Sequence, residues 1–409
     1  MRSDTADPGA GPPLPDPWPG VTYESRPWRS ALPPEAVSRA ARARQAGPYE
    51  AAVVAPIAHR RLVVSPAVSG LADDASTEIA RFDAEVGHEV APFGSILLRS
   101  ESASSSQIER LTSGARAIAM AEIGHGDKRN AALIVANERA MRAAIGLADR
   151  LDEDAILQMQ TALLEQHDPR ATGSWRTEQV WIGGSGIGPH GAEFVPPHHD
   201  RVAAGMADLV AFVRRDDLPV LVQAAVAHAQ FETIHPFLDG NGRTGRALIH
   251  AMLRAKGLTR NVTVPVSAGL LTDTDAYFAT LTAYRRGDVE SIVTRIAEAT
   301  FAALHNGRAL VRELREARAA WDDVVVARRD AVAWRLADLL VRQPVVDATF
   351  VQRELGATSA NAQRALRRLA EAGVITEITG RRRDRLWQAP TVLRALDDFA
   401  QRAGRRTTA

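Results

Sequence analysis

The twelve residues from His235 to Arg246, His-Pro-Phe-Leu-Asp-Gly-Asn-Gly-Arg-Thr-Gly-Arg, combine groups suited to moving a phosphate. Singly the pieces are ordinary. His-Pro is a common helix stop, Asp-Gly and Asn-Gly are turn dipeptides, and two arginines three apart usually form a solvated helix face. Together they specify more. Gly240 and Gly242 let the backbone approach a ligand closely and take positive φ. The loop runs into a helix expected over 243–255, whose unpaired N–H groups and dipole favour an anion. Arg243 and Arg246 share one face of that helix and can reach the same polyphosphate. Asp239 supplies a hard oxygen ligand for Mg²⁺ beside those phosphates. His235, held at the loop entrance by the rigid Pro236, can take a proton from an incoming hydroxyl. Phe237 and Leu238 read as buried anchors. A site of this kind works by positioning and charge neutralisation.

The stretch resembles the signature of Fic proteins, HPFxDGNGRxxR, with all nine fixed positions matched. The resemblance implies a mainly α fold, a compact helical bundle around the loop with a small β-hairpin flap. It also implies a protein adenylyltransferase. A Ser, Thr or Tyr hydroxyl of a protein would attack the α-phosphate of ATP in the presence of Mg²⁺, and pyrophosphate would leave. Carried across, His235 is the general base and Asp239 the metal ligand. Asn241 and the amides of Gly240 and Gly242 hold the α- and β-phosphates, Arg243 reaches the β-phosphate and Arg246 the γ-phosphate. Some enzymes of this kind remove AMP or transfer another phosphate-containing group, and the loop does not itself read the base, so those alternatives stand.

Flanking features extend the resemblance, which covers roughly residues 50–315. Residues 179–197 are similar to the family's flap, with Val180, Trp181 and Ile182 offering a strand edge to an extended target. Within it Gly186 to Gly191 satisfy GxGxxG, but Pro189 and the following Phe-Val-Pro-Pro deny it the context of a dinucleotide site. His190, His198 and His199 lack metal-centre spacing and read as surface loop histidines. Tyr277 and Tyr284, a heptad apart, could line an adenine pocket or pack in the core. Upstream, Ser105-Ser106-Gln107-Ile108-Glu109 lies on a helix expected over 101–123. It resembles the inhibitory motif (S/T)xxxE(G/N), whose Glu pairs with the second loop arginine, here Arg246, and mis-seats ATP. Arg110 departs from that pattern. A bulky cation there could loosen the helix or compete for Glu109.

The elements that must position these residues are mostly helical. Periodicity suggests helices over 77–86, 137–147, 152–166, 218–233, 275–284 and 289–314, the fourth apolar enough to be buried. Short strands are expected at 179–182 and 193–195. At 409 residues the chain should divide into two or three domains. Residues 1–48, rich in Pro and Gly, read as disordered or draped. Residues 49–150 form an N-terminal helical region carrying the inhibitory helix, and 151–315 the catalytic core. The absence of cysteine excludes disulfides and thiolate metal sites. Residues 1–20 have no apolar h-region, and no apolar run matches a bilayer's thickness. A cytoplasmic location and no membrane partner are the expectations.

Charge sets the remainder apart. Residues 325–409 carry 16 Arg against 9 acidic residues, a net +7, which leaves −6 elsewhere in a chain of net +1. An amphipathic helix over 331–342, a short helix capped by Asp347, a third over 360–372 capped by Ser359, and strands at 374–379 and 386–389 follow. This order resembles a winged helix–turn–helix. Arg364, Arg367 and Arg368 on its outward face, with Arg381, Arg382 and Arg383 in the wing, could reach DNA, or the wing could recognise protein. A second reading is therefore a DNA-binding regulator whose Fic domain serves as sensor or autoregulator. The expected partner is a protein hydroxyl, with self-modification, DNA and a homodimer as further candidates.

Overall fold

The computed structural model describes residues 17–29, 33, 37–87, 93–184, 186–328, 331–380 and 384–404. Strand β1 (Thr22–Arg26) pairs antiparallel with β2 (Tyr49–Val53) across the short helix α1 (Arg39–Arg44). A helical body follows: α2 (Pro66–Gly87), α3 (Phe93–Ile108), α4 (Ala115–Glu122), α5 (Arg129–Gly146), α6 (Glu153–Leu164), α7 (Val202–Val213), α8 (Val220–Ile234), α9 (Asn241–Ala255), α10 (Val266–Leu270), α11 (Thr274–Arg285) and α12 (Glu290–Val324). The C-terminal unit comprises α13 (Val332–Arg342), β3 (Val345–Asp347), α14 (Ala348–Leu355), α15 (Ser359–Glu371), β4 (Thr376–Glu377), β5 (Leu386–Gln388) and α16 (Pro390–Arg402). The fold is mainly α, as the sequence suggests.

Local chemistry accounts for the boundaries. Asp152 starts α6 by accepting from the Ala155 N–H at 2.8 Å, and Asp273 starts α11 by accepting from Ala276 at 2.9 Å. Helix α8 is buried on every side from Leu221 to Ile234. Its interior Gln223 donates through Nε2 to the carbonyls of Phe212, Val213 and Arg215, which end α7 and begin the next loop. α9 lies against α8, so the loop between them is fixed by two packed helices.

Several expectations need correction. The helix expected over 101–123 is two helices, because Arg110 takes a positive φ of 61° and the chain turns before α4. The two strands of the flap reduce to a single bridge, Ile182 opposite Phe194. The N-terminal stretch is not draped at Thr22–Arg26, where it is a paired strand; prolines on either side mask its alternation. Helix α7 was invisible to periodicity, its Gly205 and alanines diluting the apolar signal.

In the C-terminal unit the sheet order is β3-β5-β4, antiparallel throughout. Asp347 caps α14 at the Phe350 N–H, 2.6 Å away. Thr358, not Ser359, caps α15. Ala362, Leu366 and Leu369 face inward, while Gln363, Arg364, Arg367 and Arg368 are exposed. Arg381, Arg382 and Arg383 lie outside the described residues. The unit is packed onto the body. Ala119 of α4 shares an apolar cluster with Val345, Leu386 and Leu393, His125 Nε2 lies 2.7 Å from Asp347 Oδ2, and Asn306 of α12 donates to the Phe399 carbonyl at 3.0 Å. Among the described residues no helix is long and apolar enough to cross a membrane.

Candidate functional site

Helix α8 stops at His235, which takes the left-handed conformation (φ 51°) while its N–H donates to the Phe231 carbonyl at 2.8 Å. Pro236 then prevents continuation. Phe237 is fully buried against Trp175 and Phe231. Leu238 is 46% exposed and is no anchor. Gly240, at φ 83°, caps α9, which begins at Asn241 rather than near Arg243. Asn241 Oδ1 accepts from the Phe237 N–H and its Nδ2 donates to the Phe237 carbonyl, both at 2.9 Å. That reciprocal lock closes the loop and leaves the second Nδ2 hydrogen of Asn241 and its backbone for a ligand.

Arg243 is buried, yet its Nε and Nη1 have no hydrogen-bond partner among the described residues. Its Nη2 is 3.6 Å from Asp239 Oδ1. Burial lowers its pKa, and the neighbouring Asp239 and Glu109 only partly restore it. A buried guanidinium edge without acceptors, at a helix N-terminus, is a receptor for an anion. Asp239 faces outward, its side chain 66% exposed, and accepts from the Gly240 N–H at 2.6 Å. No three His, Asp or Glu side chains converge on a metal position among the described residues. Asp239 can therefore offer a divalent cation one carboxylate, the remaining ligands coming from phosphate and water, as Mg²⁺ accepts.

His235 is pushed down to about 4 by burial first and then by the charges of Arg176 and Arg285, so it is a neutral imidazole at ordinary pH. Its Nδ1 lies 3.9 Å from Glu232 Oε2, a carboxyl that burial pushes up to about 7.

Glu109 and Arg246 are paired in the geometry. Arg246 Nε donates to Ser105 Oγ and its Nη2 to the Ser105 carbonyl, each at 2.9 Å, while Nη2 also donates to Glu109 Oε1 at 2.8 Å. Burial opposes ionisation of Glu109, but the Arg246 guanidinium outweighs it and holds the carboxyl below its ordinary value. A methyl group built on Gly242 would collide with the Glu109 carboxylate. The carboxylate therefore lies on the first turn of α9, where an anion would sit. Arg110 is exposed. It holds, at φ 61°, a left-handed turn that glycine or asparagine adopts more easily, at a cost of about 1 kcal/mol.

Tyr277 and Tyr284 are core residues, not pocket lining. Both are buried, with hydroxyls 2.7 Å from His228 Nε2 and Gln230 Oε1 of α8 respectively. In the flap, Trp181 packs edge-on against Trp28, which packs against Tyr49. The Val180 carbonyl accepts from Gln179 Nε2 at 2.8 Å, and Ala52 of β2 donates to the Val195 carbonyl, joining the N-terminal strands to the flap. His190 is tied to Gln45 and to the Pro48 carbonyl. The structure also brings in Arg176, Glu232 and Arg285, which no motif marks; Arg285 lies 3.8 Å over the Phe194 ring.

The model of the Fic/DOC family matches residues 150–253, which contain the loop, α8 and all but the last two residues of α9. Protein adenylyltransferase fic-1 of Caenorhabditis briggsae is 30% identical over 148 residues, 36% of this chain and 26% of its own length. The fic-1 protein of Caenorhabditis elegans is 29% identical over 153 residues, 37% of this chain and 27% of its own. The chain thus matches only about a quarter of the length of these curated relatives. A Fic family protein from Desulfovibrio desulfuricans G20 aligns over 80% of this chain and 97% of its own, with 22% identity and a TM-score of 0.49.

Proposed function

We propose that the chain is a protein adenylyltransferase that moves AMP from ATP to a protein Ser, Thr or Tyr hydroxyl, held down by Glu109 through Arg246. The observation that carries this is Arg243, buried at the N-terminus of α9 with two guanidinium nitrogens unpaired, beside a neutral His235. In the reaction the target oxygen forms a bond to the α-phosphorus as its proton passes to His235. The bond from that phosphorus to the bridging oxygen breaks, and pyrophosphate leaves. The amides of Asn241 and Gly242 and the Arg243 guanidinium take up the developing charge. Mg²⁺, when bound by Asp239, would neutralise the phosphates further. The triphosphate's own charge counteracts Arg176 and Arg285, so His235 gains basicity as the nucleotide seats.

Incubation with α-labelled ATP and Mg²⁺, followed by mass spectrometry of candidate targets and of the chain itself, tests the proposal. A covalent AMP adduct is expected. Loss of AMP from a modified target, or transfer of a different phosphate-containing group, would select the alternative chemistries of the same loop.

Target docking is assigned to the flap edge around Val180, Trp181 and Ile182. Val180→Pro removes a backbone donor at that edge. Transfer to a separate protein should fall at least tenfold while self-modification persists. Undiminished transfer would place docking elsewhere.

The exposed row of Gln363, Arg364, Arg367 and Arg368 on α15 favours a second role, binding of nucleic acid. Affinity of the full chain for duplex DNA should then fall with salt, with a log–log slope of about −0.9 per phosphate contacted. The pair Arg367→Glu and Arg368→Glu should weaken binding to any sequence. No gel shift even at low salt would leave the unit as a protein-recognition module.

A further inference from the structure

We infer that Arg176, outside the signature loop, is the positioning residue that fixes His235 and the flap in a single working geometry. The inference rests on the reading of His235 as the base. Arg176 is 3% exposed, and among the described residues its guanidinium makes hydrogen bonds only to main-chain carbonyls. Its Nε donates to the His235 carbonyl at 2.8 Å, Nη1 to Glu178 at 2.9 Å, and Nη2 to Pro197 at 2.5 Å and Ile234 at 3.5 Å. Its backbone N–H donates to the Pro236 carbonyl at 2.9 Å.

These acceptors belong to two separate structures. The carbonyls of Ile234 and His235 end α8, where the helix dipole is negative and a cation is favoured. They also flank the left-handed turn at His235, a conformation that a residue with a Cβ adopts only when its surroundings enforce it. Glu178 and Pro197 are the two feet of the flap. One planar fork thus sets the distance between the base and the strand that presents the target. A lysine could not span these acceptors, because its ammonium is a point donor.

Burying a guanidinium with no carboxylate against it is costly. Burial lowers its pKa to about 10, with only the nearby Tyr49 favouring its charge. The charge has a consequence at the site, because it helps keep the His235 imidazole neutral. The other groups facing that imidazole are Glu232 on α8, Arg285 on α11 and Glu109 beyond α3, and none of these changes when Arg176 is replaced.

The test compares Arg176→Lys and Arg176→Met in the full chain, with two readouts. Titration of the His235 ring by NMR needs no activity. It should move to higher pH in Arg176→Met and stay near wild type in Arg176→Lys. In AMP transfer both variants should lose about 100-fold in kcat, the scale of an ångström-size misplacement, with nucleotide affinity within about twofold of wild type. KM for the protein target should rise as the flap loosens. A drop in thermal stability with the titration and kcat unmoved would make Arg176 a structural residue and overturn the inference. If the wild-type chain transfers no AMP, the proposed function fails while the ring titration still decides Arg176. If Arg176→Met does not fold, Arg176→Lys carries the kinetic test, and wild-type kcat in that variant overturns the inference.

Discussion

Replacing His235 by alanine is expected to cut AMP transfer by roughly 10²–10⁴-fold, the contribution of a well-placed general base. Nucleotide binding should survive, because the groups proposed to meet phosphate are elsewhere: the first turn of α9 and the Arg243 guanidinium. One complication is conformational. His235 sits at φ 51°, where alanine is strained, so some loss could come from a shifted loop. His235→Asn separates the effects, since asparagine tolerates that conformation but has no basic nitrogen. Both variants should be inactive, with ATP dissociation constants close to wild type by calorimetry. Wild-type rates in either would remove His235 from the mechanism.

Glu109→Gly should act in the opposite direction. In the wild type Arg246 is held by three hydrogen bonds, two to Ser105 and one to Glu109. The Glu109 carboxylate also stands over Gly242. Removing it clears the N-terminus of α9 and frees one face of Arg246 for the γ-phosphate. Activation by one to three orders of magnitude corresponds to roughly 1.4–4 kcal/mol in favour of the inhibited arrangement. Because the Glu109 side chain is still 38% exposed, solvent weakens the pair, and the lower part of that range is expected. Arg246→Ala should be inactive alone and remain inactive combined with Glu109→Gly, since the clamp itself is then missing. Initial rates of AMP incorporation for the four proteins decide the matter. A Glu109→Gly protein that is folded, binds ATP and is no faster than wild type would reduce Glu109 to an ordinary carboxylate.

The loop was legible in the sequence because its chemistry is local. His235, Asp239, Arg243 and Arg246 lie within twelve residues, and the turn and helix that aim them are written in the intervening Pro and Gly. Glu109 was legible only through its resemblance to a motif, since 137 positions separate it from Arg246. Arg176 left no trace. Its partners are carbonyls, which every residue has, so no spacing of side chains reports them. Asn241 carries a second task that the sequence did not announce: its amide locks the loop by bonding both the N–H and the carbonyl of Phe237. Tyr277 and Tyr284 show the limit of periodicity, which gives a shared helix face but not whether that face meets a pocket or the core. Arg110 looked like an electrostatic departure from the motif, whereas the preference for glycine or asparagine concerns backbone conformation.

The hairpin of α3 and α4 that carries Glu109 is held at both ends. Arg246 grips Ser105 on one side, and Gln343 of the C-terminal unit bonds Arg99 and the Ala119 carbonyl on the other. Inhibitor and site are therefore parts of one molecule, and the fold fixes the local concentration of the Glu109 carboxylate at Arg246. Dilution does not lower that concentration, so the restraint proposed for Glu109 would be a property of each single chain, equally strong in a sparse solution and a crowded one. A ligand can compete with it only by occupying the first turn of α9. Anything else that relieves it has to shift the hairpin itself.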